Sequence, residues 1–132
     1  MRAAGPAGRV TAALAAVLVL AGCGSAAQSS APVPSGPPTS ELRVGLLDYR
    51  LAVSGGTLRP GSVTITATNA GGTGHDLRLR QGNRVLAATS VLAPGGSETL
   101  RVDVQPGEPV RLDCTVGGHA EAGMHATLTV AE

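Results

Sequence analysis

A thiol, an imidazole and a thioether stand five residues apart near the end of the chain: Cys114, His119 and Met124, within CTVGGHAEAGMHATLTV. The spacers are small residues, so one loop can present all three side chains. Thiolate and thioether sulfur favour soft metals, and imidazole suits copper and zinc. A structural zinc site usually closes with four Cys or His ligands, more than this loop holds. Alone, Cys114 has an ordinary role as a small buried hydrophobe and Met124 as a core filler. The three together at this spacing have no comparable bland explanation.

A fourth donor lies upstream. His75 follows the glycine-rich stretch NAGGTG. Two imidazoles, one thiolate and a weak axial thioether make up the trigonal blue-copper arrangement. The set therefore predicts one copper ion, Cu(I) or Cu(II), held by His75, Cys114, His119 and Met124. Shared coordination requires the His75 ring within about 6 Å of the Cys114 sulfur, because bonds to a common ion are near 2 Å. His125, directly after Met124, is expected at the surface, with a competing axial role only if the loop rearranges.

Short β-prone runs must position these residues. From Glu41 onward apolar and polar residues alternate with period two, broken every ten or so residues by Gly, Pro or Asn. LRVGLLDYRLAV (42–53) is expected as one run. SVTITATNA puts Val63, Ile65 and Ala67 on one face and Thr64, Thr66 and Thr68 on the other. HDLRLR, RVLAATSVL and SETLRVDV follow. PVRLDC places Val110, Leu112 and Cys114 inward and leaves Arg111 and Asp113 on a solvated face. The last strand begins near Ala126. RPG, APGG and QPGE are turn sequences, Pro setting φ and Gly tolerating positive values. The expected fold class is all-β, a two-sheet β-sandwich of about seven to eight strands. One Tyr, no Phe and no Trp leave the core to Val, Leu, Ile and Ala.

On these residues the chain resembles a cupredoxin, a small blue copper protein of the azurin and plastocyanin type. The C-x4-H-x4-M loop and the segment GHDL carry the likeness, which spans about residues 41–132. It implies a Greek-key β-sandwich with His75, Cys114, His119 and Met124 as ligands. It also implies that the Gly74 carbonyl approaches the metal, as in azurin-like members. In many relatives an amide after the first His bonds to the residue after the Cys; the matching residues are Asp76 and Thr115. Gly117 stands where the family commonly has proline, which should loosen the loop. Arg111, Leu112 and Asp113 replace the usual aromatic residues, which should leave the site less shielded from water. The implied function is electron transfer, not enzymatic turnover, with redox partners docking near His119 among Val116, Ala120 and Ala122. Copper carriage, storage or delivery outside the cell membrane is the alternative.

The chain start carries a different signal. Arg2 and Arg9 precede a short apolar run of about 12 residues, below the roughly 17–25 that span a membrane, and this is the pattern of an export signal. LAGC, ending at Cys23, resembles the lipobox of bacterial lipoproteins. The likeness implies a signal peptide over 1–22, a lipidated Cys23 opening a Pro/Ser/Ala-rich tether over 23–40, and a folded domain over 41–132. The expected location is extracytoplasmic, anchored to a bacterial membrane. A thioether at Cys23 would leave Cys114 as the lone thiol, in an oxidising compartment. Ten basic and nine acidic residues give no electrostatic footprint for nucleic acid. No P-loop, dinucleotide fingerprint or nucleophile elbow is present. A monomer is expected.

Overall fold

The structure is a computed structural model and describes residues 32–132. The expected signal peptide and Cys23 lie outside the described residues. Among the described residues nine strands form two sheets: β1 (Glu41–Leu47), β2 (Arg50–Val53), β3 (Thr57–Leu58), β4 (Gly61–Asn69), β5 (Arg78–Gln81), β6 (Arg84–Ala88), β7 (Ser97–Val104), β8 (Val110–Asp113) and β9 (His125–Val130). One sheet has the order β2-β1-β4-β7 and the other β3-β9-β8-β5-β6. Both are mixed: β1 runs parallel to β4 and β3 parallel to β9, while the other pairs are antiparallel. Among the described residues no helix is long and apolar enough to cross a membrane.

The alternation in the sequence becomes the two faces of each sheet. On β4, Val63, Ile65 and Ala67 are fully buried. The threonines between them point out, and two make hydroxyl contacts to β7: Thr66 to Thr99 at 3.4 Å and Thr68 to Ser97 at 3.0 Å. Such cross-strand pairs fix register as well as add stability. Ile65 shares one buried cluster with Leu79, Val110, Leu112 and Leu128 of the other sheet and with Leu77, just before β5. With no aromatic ring in this core, large aliphatic side chains carry its packing. Ile65→Ala is therefore expected to cost about 2–5 kcal/mol, read from urea unfolding of the metal-free protein as a lower midpoint at unchanged slope.

Four details differ from the sequence expectations. The stretch 42–53 is not one strand but the antiparallel pair β1 and β2, joined at Asp48 and Tyr49, with Leu47 opposite Arg50. That division, with the two-residue β3, raises the strand count to nine. The last strand starts at His125, one residue early, and Asp113 pairs with His125 in register. Asp113 is not solvated: it is buried and accepts from Arg78 Nε at 3.1 Å and from the guanidinium's Nη2. An outward carboxylate opposite an arginine is covered by its partner's long stem. Finally, packing begins before Glu41. Val33 lies against the core, and Thr39 bridges to Leu58 in parallel.

Candidate metal centre

Two loops and one strand end converge at one edge of the sandwich. Cys114 comes first past the end of β8, continuing its inward phase, and is buried. Its backbone N–H donates to the Met124 carbonyl at 3.1 Å, so the chain leaves and returns at the same point. Between them the loop is tied by its own backbone. His119 N–H donates to Val116 O, Ala122 N–H to Gly118 O, Gly123 N–H to Ala120 O, and Met124 N–H to His119 O, at 3.0–3.1 Å. Gly118 has a φ of 81°, a left-handed turn that residues with a Cβ rarely take. The looseness expected from Gly117 is countered by these four bonds. Met124 is fully buried and His119 is half-buried.

His75 is delivered from the other side. It lies outside β5, in an isolated antiparallel bridge with Leu92, and is fully buried. Buried Asn69 pins the loop that precedes it. Its Nδ2 donates to Thr73 O and Leu92 O, each at 2.8 Å, and its Oδ1 accepts from Gly71 N–H at 2.9 Å. The result brings the ring nitrogens together: His75 Nδ1 and His119 Nδ1 are 3.1 Å apart. Cys114 Sγ is 3.6 Å from His119 Nδ1. One ligand atom from each of His75, Cys114 and His119 lies within 4.8 Å of the others.

These donors fit one metal ion. Bonds of about 2.0 Å from imidazole and 2.3 Å from thiolate allow donor pairs separated by up to about 4 Å, and the 3.1 and 3.6 Å separations fall inside that reach. One soft sulfur and two imidazole nitrogens suit copper. His125 is not in the cluster. It lies on β9, half-exposed, opposite Asp113.

The surroundings bind the two ligand segments to each other. Asp76, directly after His75, accepts from Thr115 N–H at 2.6 Å and from the Thr115 hydroxyl. Burial pushes the Cys114 thiol above its ordinary value, opposed by the backbone N–H groups of Asp76 and Val116. The metal-free thiol is thus protonated at neutral pH, and a metal must displace that proton. Folded protein holds it more tightly than the unfolded chain does. This contribution to stability is intact below the free-thiol range, near about 8.5, and is lost as pH rises through the raised folded value. Alkylation of Cys114 in metal-free protein should accordingly stay slow at pH 8, rise only at higher pH, and become fast in urea.

Two site neighbours escaped the sequence reading. Asp48, in the turn between β1 and β2, accepts from His75 Nε2 at 2.7 Å. Tyr49 follows it and packs edge-on to His119, with ring centroids 5.0 Å apart. The signal available was the doubled apolar Leu46-Leu47, which breaks strict alternation just before Asp48. On the far side, a pocket of about 210 Å³ opens beside Cys114, lined by Arg78, Asp113, Thr115, Val116 and Glu121 among others. Tyr49 and Val91 are exposed near the histidines, with Val116 and Ala120 half-buried and Ala122 exposed.

Solved structures share this architecture. An auracyanin from the photosynthetic bacterium Roseiflexus castenholzii, reduced with dithionite, aligns at a TM-score of 0.63 and 21% identity, over 73% of this chain and 100% of that one. Auracyanin A, a "blue" copper protein from the green thermophilic photosynthetic bacterium Chloroflexus aurantiacus, aligns at 0.54 and 16%, over 71% and 99%. A multicopper oxidase aligns at 0.54 and 21% over 68% of this chain but 41% of that one. No protein-family model matches the chain, and no curated protein sequence does. The likeness is one of fold, and the fold is that of the cupredoxins.

Proposed function

We propose that this protein is a one-electron carrier in which His75 Nδ1, His119 Nδ1 and Cys114 Sγ would hold a single copper ion, with Met124 as a further, weaker sulfur donor. The observation that carries it is the meeting of one ligand atom from each of His75, Cys114 and His119 within 4.8 Å, from segments nearly forty residues apart. When bound, copper supplies the Cu(I)/Cu(II) couple. The protein's part is to hold the donors in one arrangement. The Asp76–Thr115 bonds tie the two ligand segments, and the loop's own backbone bonds restrain His119. The Gly74 carbonyl is the further candidate to approach the metal, by resemblance. Half-buried His119, with Val116, Ala120, Ala122 and Tyr49 around it, is the proposed contact for redox partners. LAGC supports a lipid anchor at Cys23, which would hold a domain of residues 41–132 outside the cytoplasmic membrane on its 23–40 tether, as a monomer.

Titration of the purified protein with Cu(II), followed by voltammetry, tests the function. An intense visible charge-transfer band and a reversible one-electron wave are expected. Colourless, weak Cu(I) binding with ready release to a chelator would instead assign copper delivery.

A further inference from the structure

We propose that Asp48 is a positioning residue of the metal centre, selecting the His75 tautomer whose unprotonated Nδ1 faces the copper. This rests on the copper assignment above. Both ring nitrogens of buried His75 have close partners. Nε2 is 2.7 Å from Asp48 Oδ1, and Nδ1 is 3.1 Å from His119 Nδ1. A carboxylate only accepts, so the Nε2 atom carries the proton, and the neutral ring then offers its lone pair at Nδ1. That is the atom that faces His119 Nδ1.

The carboxylate is itself held in place. Asp48 Oδ2 accepts from Gly72 N–H at 2.8 Å, and Oδ1 accepts from the Thr73 hydroxyl at 3.1 Å. The chain before His75 therefore wraps around Asp48. Gly71 marks how closely: a Cβ there would stand 2.6 Å from Asp48 Oδ1 and 2.7 Å from His75 Nε2. Any larger side chain would occupy the place of the hydrogen bond. A two-residue turn is well suited to this task, because β1 and β2 fix both of its ends through the Leu47–Arg50 pairing. Carboxylate bonded to the far nitrogen of a ligating imidazole fixes its orientation and raises its basicity, and loss of such partners typically weakens metal binding about 10–100-fold. A more basic ligand and a nearby negative charge both favour Cu(II) over Cu(I).

The test compares the wild-type protein with Asp48→Ala and the nearly isosteric Asp48→Asn. Nitrogen-15 NMR of the metal-free proteins reads the tautomer directly. Wild-type His75 should carry its proton on Nε2; Asp48→Ala should show a changed or mixed tautomer, while Asp48→Asn, whose amide oxygen can still accept from Nε2, should keep more of the wild-type form. Cu(II) affinity should fall about 10–100-fold, and the reduction potential should rise, most in Asp48→Ala. Thermal melts of the metal-free variants separate these effects from misfolding, and Asp48→Asn serves if Asp48→Ala does not fold. A proton on Nδ1 in wild type, or variants with unchanged affinity and potential, would overturn the proposal. The NMR readout needs no copper, so its outcome stands apart from whether the protein proves to be a copper carrier.

Discussion

Cys114→Ser is expected to abolish the visible band of the copper-loaded protein and to weaken copper binding well beyond the 10–100-fold, on the order of which outer partners contribute. Serine nearly preserves the shape of the buried side chain, which is 1% exposed. What it removes is soft sulfur. A thiolate binds copper strongly and gives the intense charge-transfer transition; a hydroxyl at neutral pH remains protonated and does neither. The fold should survive, because one buried hydroxyl costs about 1–3 kcal/mol by mutational measures and Cys114 is one of many core residues. Copper titration by visible absorption and a thermal melt of the metal-free variant check the two halves. A variant that keeps its colour would place the ligating sulfur elsewhere.

Asp76→Ala is expected to have the second largest effect, on both metal affinity and stability. Its carboxylate accepts two bonds from Thr115. Thr115 adjoins Cys114 and Asp76 adjoins His75, so removal uncouples the two ligand segments. Copper affinity should drop about 10–100-fold. The abandoned Thr115 donors should cost about 1–3 kcal/mol, toward the lower figure because Thr115 is exposed and water can replace the lost acceptor. Asp76→Asn should restore most of both losses, since its amide oxygen can accept from Thr115 N–H and its NH2 can donate to the hydroxyl. Isothermal titration and urea unfolding of the three proteins distinguish coupling from a general loss of folding.

Much of this centre is legible in the sequence because its donors are rare residue types at a tight spacing. The strand phase of Val110, Leu112 and Cys114 predicts an inward thiol, and the structure buries all three. Threonines alternating with Val63, Ile65 and Ala67 declare a sheet with one wet face. What alternation does not reveal is pairing across strands. Asp113 has the outward phase, yet Arg78 opposite covers it. Asp48 and Tyr49 form a hairpin turn without Gly, Pro or Asn, so the run 42–53 carries no strong break, and the brace on both histidines goes unseen. Val33 and Thr39 sit in a proline-rich stretch whose composition suggests a tether, yet both contact the sandwich. Composition describes the segment's intrinsic preference; contact with Leu58 and its neighbours depends on where the folded surface lies.

Copper K-edge X-ray absorption of the loaded protein tests the central claim most directly. One sulfur scatterer near about 2.2–2.3 Å and two imidazole nitrogens near about 2.0 Å are predicted, with the sulfur shell lost in Cys114→Ser. A coordination shell of nitrogen and oxygen alone would contradict it, because the copper would then lie outside the space enclosed by His75, Cys114 and His119.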